Sequence, residues 1–176
     1  SMLQNLFRVR PNDRIGLELY AKTVDQARDP GFYTSLGVAD EIDARFELYT
    51  LHVLLLILRL RDEGTDGADL AQELFDVYVS ALDNALRELG VHDVTMAKKM
   101  RKLGEALYGR MTAYEGPIRA EDRSALSEAL GRNVYAGAGA EAAARLADYA
   151  LRARAGLAEQ SLKTVLARPA WAEVVA

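Results

Sequence analysis

Residues 40–62, DEIDARFELYTLHVLLLILRLRD, constrain this chain more than any other stretch. Ile42, Phe46, Tyr49, Val53, Leu56, Ile57 and Leu60 recur at helical spacing, while Leu48, Leu51, Leu55 and Leu58 fill a second face. A helix apolar on more than one side has to be surrounded by other elements. The spacing therefore predicts a central core helix. Asp40, Glu41 and Asp43 open it and Arg59 and Arg61 close it, the charge order that complements the helix macrodipole. Its longest apolar run, Leu48 to Leu58, is far short of the ~20 residues that span a bilayer.

The flanking segments read as helices that could wrap this core. Pro11, Asn12 and Asp13 start an amphipathic helix that stops near Pro30 and Gly31, and Phe32, Tyr33 and Leu36 follow as a short anchoring segment. After a turn at Gly64 to Gly67, with Thr65 or Asp66 as cap, a helix runs to about Leu89. It carries two stripes, Leu70, Leu74, Val77, Ala81, Ala85 and Phe75, Tyr78, Leu82, Leu86. Two partners can therefore pack on it. Gly90 is placed for a left-handed C-cap, and Thr95 for the cap of a helix whose stripe is Met96, Met100, Leu103, Leu107, Met111 and Tyr114.

Gly116 and Pro117 break the pattern before a helix over about 121–135, and Gly137 and Gly139 loosen the next join. The Ala-rich segment beyond has a thin apolar face, with Gly156 as an interruption and Pro169 as a stop. The expected fold is all-α: one compact domain over 1–176, roughly seven helices around a long apolar one, with the helices of 120–168 more loosely attached.

Composition narrows function by exclusion. The 176 residues include no cysteine, so thiolate chemistry, disulfides and cysteine metal sites are ruled out. A net charge of -4 and a pI near 5.3 argue against bulk DNA or RNA affinity. The amino-terminal residues lack the order of a secretory signal, which points to a cytoplasmic protein, peripheral at most to the inner face of the cytoplasmic membrane. His52 and His92 lie on separate elements without ligand spacing, so no metal or cofactor is assigned. His52 reads as a hydrogen-bonded core histidine and His92 as a turn residue. No nucleophile motif or phosphate loop appears, and no catalytic residue is assigned.

Charge is segregated more sharply than composition suggests. From Asp40 to Gly90 twelve acidic residues stand against four basic ones, and from Val91 to Met111 two stand against five. Two solvated faces would produce this pattern, and so would a recognition surface that steers an acidic or amphipathic peptide toward exposed aromatics.

LHVLLLILRLRDEG, LAQELFDVYVSALDNALRELGV and MAKKMRKLGEALYGRMTAY resemble the ubiquinol-cytochrome c chaperone family, bacterial relatives of the mitochondrial cytochrome b assembly chaperone. The resemblance covers about 40–118. It implies an all-helical, non-enzymatic assembly chaperone of the ubiquinol-cytochrome c reductase (bc1) complex. Its expected client is nascent cytochrome b, with the ribosome exit region or a small partner subunit as further contacts.

Carried onto this sequence, the resemblance singles out Arg59, Arg61, Asp83, Arg87, Lys98, Lys102, Tyr108 and Arg110 as partner-binding residues. Asp83 and Arg87 also have the spacing of a helix-surface ion pair, and Tyr108 has the alternative of a core aromatic. Gly109 inside a helix suggests a close helix approach. Two other classes stay open: a small-ligand or lipid module with a cavity beside the apolar helix, and a ribosome or RNA adaptor using the basic helix.

Overall fold

The computed structural model describes residues 11–175, with side chains from Arg14 onward. The chain folds as α1 (Pro11–Ala27), α2 (Gly31–Thr34), α3 (Ile42–Arg61), α4 (Thr65–His92), α5 (Val94–Glu105), α6 (Leu107–Arg119), α7 (Arg123–Asn133), α8 (Ala140–Glu159) and α9 (Leu162–Ala167). Seven of these are eleven residues or longer, and no strand occurs among the described residues. The all-α expectation holds.

Helix α3 lies at the centre because no side of it can face water. Every residue from Thr50 to Leu60 is buried, and α1, α4, α5, α6 and α8 all pack on it. Its polar residues are satisfied internally. Thr50 Oγ1 donates to the Phe46 carbonyl at 2.9 Å and lies 2.7 Å from the Tyr78 hydroxyl of α4.

The turn into α4 is held by glycine rather than by a side-chain cap. Gly64 takes φ +78, and neither Thr65 nor Asp66 caps the helix. A Cβ on Gly67 would fall 1.7 Å from the Leu60 carbonyl oxygen, so only glycine fits where the two helices meet.

The hairpin beyond departs from the sequence reading in four places. Gly90 has no positive φ, and α4 continues through it to His92. Asp93, not Thr95, caps α5, accepting from the Met96 amide at 3.0 Å. The single helix expected over 96–114 bends at Ala106, because α5 packs on α4 whereas α6 packs mainly on α3 and α7. Gly116 and Pro117 do not break α6. Pro117 leaves the Ala113 carbonyl without its helical donor, and the helix still reaches Arg119.

The last third is built on small residues. Ala143, Ala147, Ala150 and Ala153 are buried with Leu146, Tyr149 and Leu157, so α8 approaches α3 and α7 closely. Gly156 does not interrupt α8. Gly137 and Gly139 both take positive φ in the preceding join, an angle their missing Cβ permits. The tail then returns across the domain. Gln160 exchanges two hydrogen bonds with the Ala170 backbone, and Trp171 meets His52 edge-on at 5.2 Å.

Candidate interaction surface

The bend at Ala106 opens a groove. Up to that residue α5 follows α4; beyond it α6 moves onto α3, so α4 and α6 become two walls with Leu54 and Ile57 of α3 between them. The hollow there holds about 240 Å³, and a second of about 410 Å³ continues between α4 and α5 past Leu82 and Leu86. Phe75 and Tyr108 line both. Their ring centroids are 5.3 Å apart at 43°, and Tyr108 is 71% exposed. Tyr108 is one residue off the Leu107, Met111, Tyr114 stripe, which turns it about 100° away from the core. The core-aromatic alternative belongs to Tyr114, which is fully buried.

Charges flank the groove. Arg61 lies at one end, paired with Glu115 at 3.2 Å, while Asp83 and Arg101 line the other. Lys98 and Lys102 stand exposed on α5 and make no ion pair among the described residues. Lys99, between them, bonds Asp43 at 2.8 Å. Arg87 donates to Asn84 at 2.8 Å, so the ion pair read from the Asp83 spacing does not form. At the hairpin apex Val91 and Val94 are 78% and 60% exposed. Gly109 faces open space, not a neighbouring helix.

Two of the eight residues turn inward. Arg59 is 4% exposed: Nε donates to the Leu157 carbonyl at 2.8 Å, and Nη2 donates to Gln160 O at 2.7 Å and Glu63 Oε1 at 2.8 Å. It caps the carboxyl end of α8. Arg110 donates from Nε to Glu47 Oε1 at 2.6 Å, on the side of α6 away from the groove. Glu47 is 1% exposed, and burial pushes its carboxyl up while Arg110 opposes the shift. The groove itself therefore gathers Arg61, Asp83 and Tyr108, with Arg87, Lys98 and Lys102 exposed on α4 and α5.

His52 is the core histidine the sequence suggests. Nδ1 lies 2.7 Å from the Leu48 carbonyl, which can only accept, so Nδ1 carries the proton and Nε2 accepts from the Tyr149 hydroxyl at 2.8 Å. Gln26 Nε2 donates to the same tyrosine oxygen at 3.1 Å. Burial pulls the imidazole pKa down to about 4. No cluster of metal-ligating residues occurs among the described residues. None of their helices is long and apolar enough to cross a membrane.

Phe75, Arg101 and Glu115 were not among the residues singled out from sequence. A signal for Phe75 was present in the double stripe of α4, whose apolar positions α1, α3 and α5 do not cover completely. Arg101 and Glu115 reach the groove through the bend, which periodicity does not reveal.

Fold and groove together define an all-α domain, closed around one apolar helix and open along one aromatic-lined side. A model of the ubiquinol-cytochrome C chaperone family matches residues 34–172, and the chain belongs to that family. Its relatives include the ubiquinol-cytochrome-c reductase complex assembly factor 1 of Xenopus laevis, 25% identical over 118 residues, covering 67% of this chain and 58% of the relative. The Mus musculus factor is 22% identical over 119 residues, covering 68% and 40%. This chain thus aligns with only about half the length of these curated relatives. The crystal structure of the Cbp3 homolog from Brucella abortus superposes with a TM-score of 0.79 at 33% identity, covering 99% of this chain and 98% of that one.

Proposed function

We propose that this chain is a non-catalytic assembly chaperone of the bc1 complex that receives newly made cytochrome b in the groove between α4 and α6. The observation that carries this reading is Tyr108, exposed beside Phe75 over an apolar floor. An aromatic held in place by a neighbouring ring loses little freedom on binding and offers a large apolar area to a client. Arg87, Lys98 and Lys102, exposed and without an ion pair among the described residues, would steer an acidic or amphipathic segment during encounter. The apex would add apolar surface for an unpacked client: Val91 and Val94 stand exposed there, with Glu88 and Asp93 beside them as well as Arg87. The client segment held is then one that has not yet packed in the bilayer.

A photo-crosslinking residue in place of Tyr108, in cells making the bc1 complex, tests the reading. Cytochrome b among the captured products supports it. Capture of other proteins only, by folded chaperone, rejects cytochrome b as the client of this groove. Lys98→Glu with Lys102→Glu should lower capture several-fold and leave the fold intact, a difference from the wild type that narrows as rising ionic strength screens the lysines.

A further inference from the structure

Apart from the groove, a pit of about 240 Å³ opens where α1, α3, α4 and α5 meet. Phe46, Tyr78, Leu82 and Met100 form its floor, each buried, and Tyr20 and Tyr49 stand at its sides. Leu82 alone is shared with the groove. Besides Tyr78 and Leu82, α4 lines the pit with Ala81 and Ala85, one turn apart, so the space exists because two small side chains occupy positions where the rest of their stripe carries leucine or valine. Tyr78 lies 5.9 Å from Tyr20 and 6.1 Å from Phe46, ring centre to ring centre. The pit is an aromatic box.

Its polar groups are unequally used. The Tyr78 hydroxyl is engaged by Thr50 at 2.7 Å, the Arg28 guanidinium interacts electrostatically with Tyr49, and Arg45 at the rim pairs with Asp40. The Tyr20 hydroxyl makes no hydrogen bond among the described residues. We propose that this pit binds a small planar aromatic molecule of one or two rings bearing an anionic or hydrogen-bond-accepting group. An apolar cavity of roughly 150 Å³ accepts benzene, so this volume accommodates a ring with a substituent. Ring walls hold a planar guest by offset and edge contacts, and the Met100 thioether adds a sulfur–ring contact. The Tyr20 hydroxyl and the Arg45 guanidinium supply donors to the substituent, as their chemistry allows.

The test follows methyl resonances of 13C-methionine-labelled full-length chain, since Met100 lines the pit and Met111 lines the groove. Titration with 4-hydroxybenzoate should move Met100 saturably, with a Kd of about 1 mM or tighter, and leave Met111 still. Cyclohexanol, apolar but not planar, should bind at least about ten-fold more weakly, a difference of about 1.4 kcal/mol. Ala85→Leu fills the half-buried position and should weaken 4-hydroxybenzoate about ten-fold or more while Met111 keeps its shift, which reports an intact fold.

No saturable movement of Met100, equal response to cyclohexanol, or full affinity in the folded Ala85→Leu variant each overturns the assignment. Binding of a short phenylalanine peptide about ten-fold tighter than 4-hydroxybenzoate also overturns it, giving the pit to a partner's side chain instead. Ala85→Leu should capture client like the wild type, so failure of the pit and failure of the groove are told apart.

Discussion

Two faces of α3 meet opposite fates. His52 and Arg59 share one face; Leu54, Ile57 and Arg61 lie on the far side, because two residues advance about 200° around a helix. On the first face α8 closes down with a row of alanines, and the polar groups there are spent on the fold: His52 on Leu48 and Tyr149, Arg59 on Leu157, Gln160 and Glu63. On the second, α4 and α6 stand apart and Tyr108 is left exposed. Buried polar groups that bond their own chain set helix register and have nothing left for a partner. An exposed aromatic with only one ring neighbour contributes little to stability and remains available. Stability and recognition are thus divided between two sides of one helix.

The largest break in this comparison is expected from Arg59→Met. The variant keeps the apolar stem but removes the charged donor from the Gln160 carbonyl and from the Leu157 carbonyl, which is left with only the Gln160 amide at 3.2 Å, and hydrogen bonds from a charged donor are worth about 1.5–3 kcal/mol each. Urea unfolding should show a loss of about 3 kcal/mol with client capture per folded molecule unchanged. A loss of under about 1 kcal/mol would mean the α3–α8 seam does not depend on this cap.

Acid should act on the same face and slightly less strongly. The buried His52 has its pKa lowered to about 4 from 6.5, so between these values the unfolded chain binds the proton and the folded one does not. The stabilising contribution is complete above about pH 6.5 and is lost as pH falls toward 4, a change of about 3 kcal/mol at most. His52→Gln, whose amide can still donate to Leu48 O and accept from Tyr149, should flatten that part of the stability profile. An unchanged slope in the variant would assign the acid sensitivity to other groups.

Much of the closed face was legible in the sequence and much of the open face was not. Helix α3 announces itself because apolar residues on every side admit only a central position, and His52 within that run has to be bonded internally. The direction of Arg59 was not legible. It is set by carbonyls at Leu157 and Gln160, about a hundred residues away in the chain, whereas charge order alone places it at an exposed helix end. The bend at Ala106 was missed for a related reason: alanine is a good helix former, and the bend comes from a change of packing partner rather than from the residue. Tyr108 was half legible. Its offset from the Leu107, Met111, Tyr114 stripe points outward, but only the bend shows that it meets Phe75.

Glycines flanking the bend sharpen the contrast by a smaller amount. Gly109 is exposed, within α6, and a Cβ there would meet nothing within 4 Å. Gly109→Ala should stabilise the domain by about 0.5–1 kcal/mol, the intrinsic helix difference. At Gly104 a Cβ would come within 3.1 Å of Leu82 Cδ2, so the same change forces that side chain to move and should not stabilise. Equal gains at both positions would contradict the tight α4–α5 contact.

The smallest effect on stability is expected where the effect on recognition is greatest. Tyr108→Ala removes a side chain that is mostly in water and touches Phe75 at one edge, so thermal unfolding should shift by about 0.5 kcal/mol or less. Client capture should fall by about ten-fold or more, because a packed aromatic anchor at the centre of an interface is worth about 2 kcal/mol. Tyr108→Phe separates ring from hydroxyl: near-normal capture identifies burial of the ring as the attraction, whereas a loss equal to that of alanine identifies a hydrogen bond. If Tyr108→Ala instead unfolds the domain, the aromatic is structural and the open face of α3 is part of the core. Intact folding with lost capture keeps the two faces distinct.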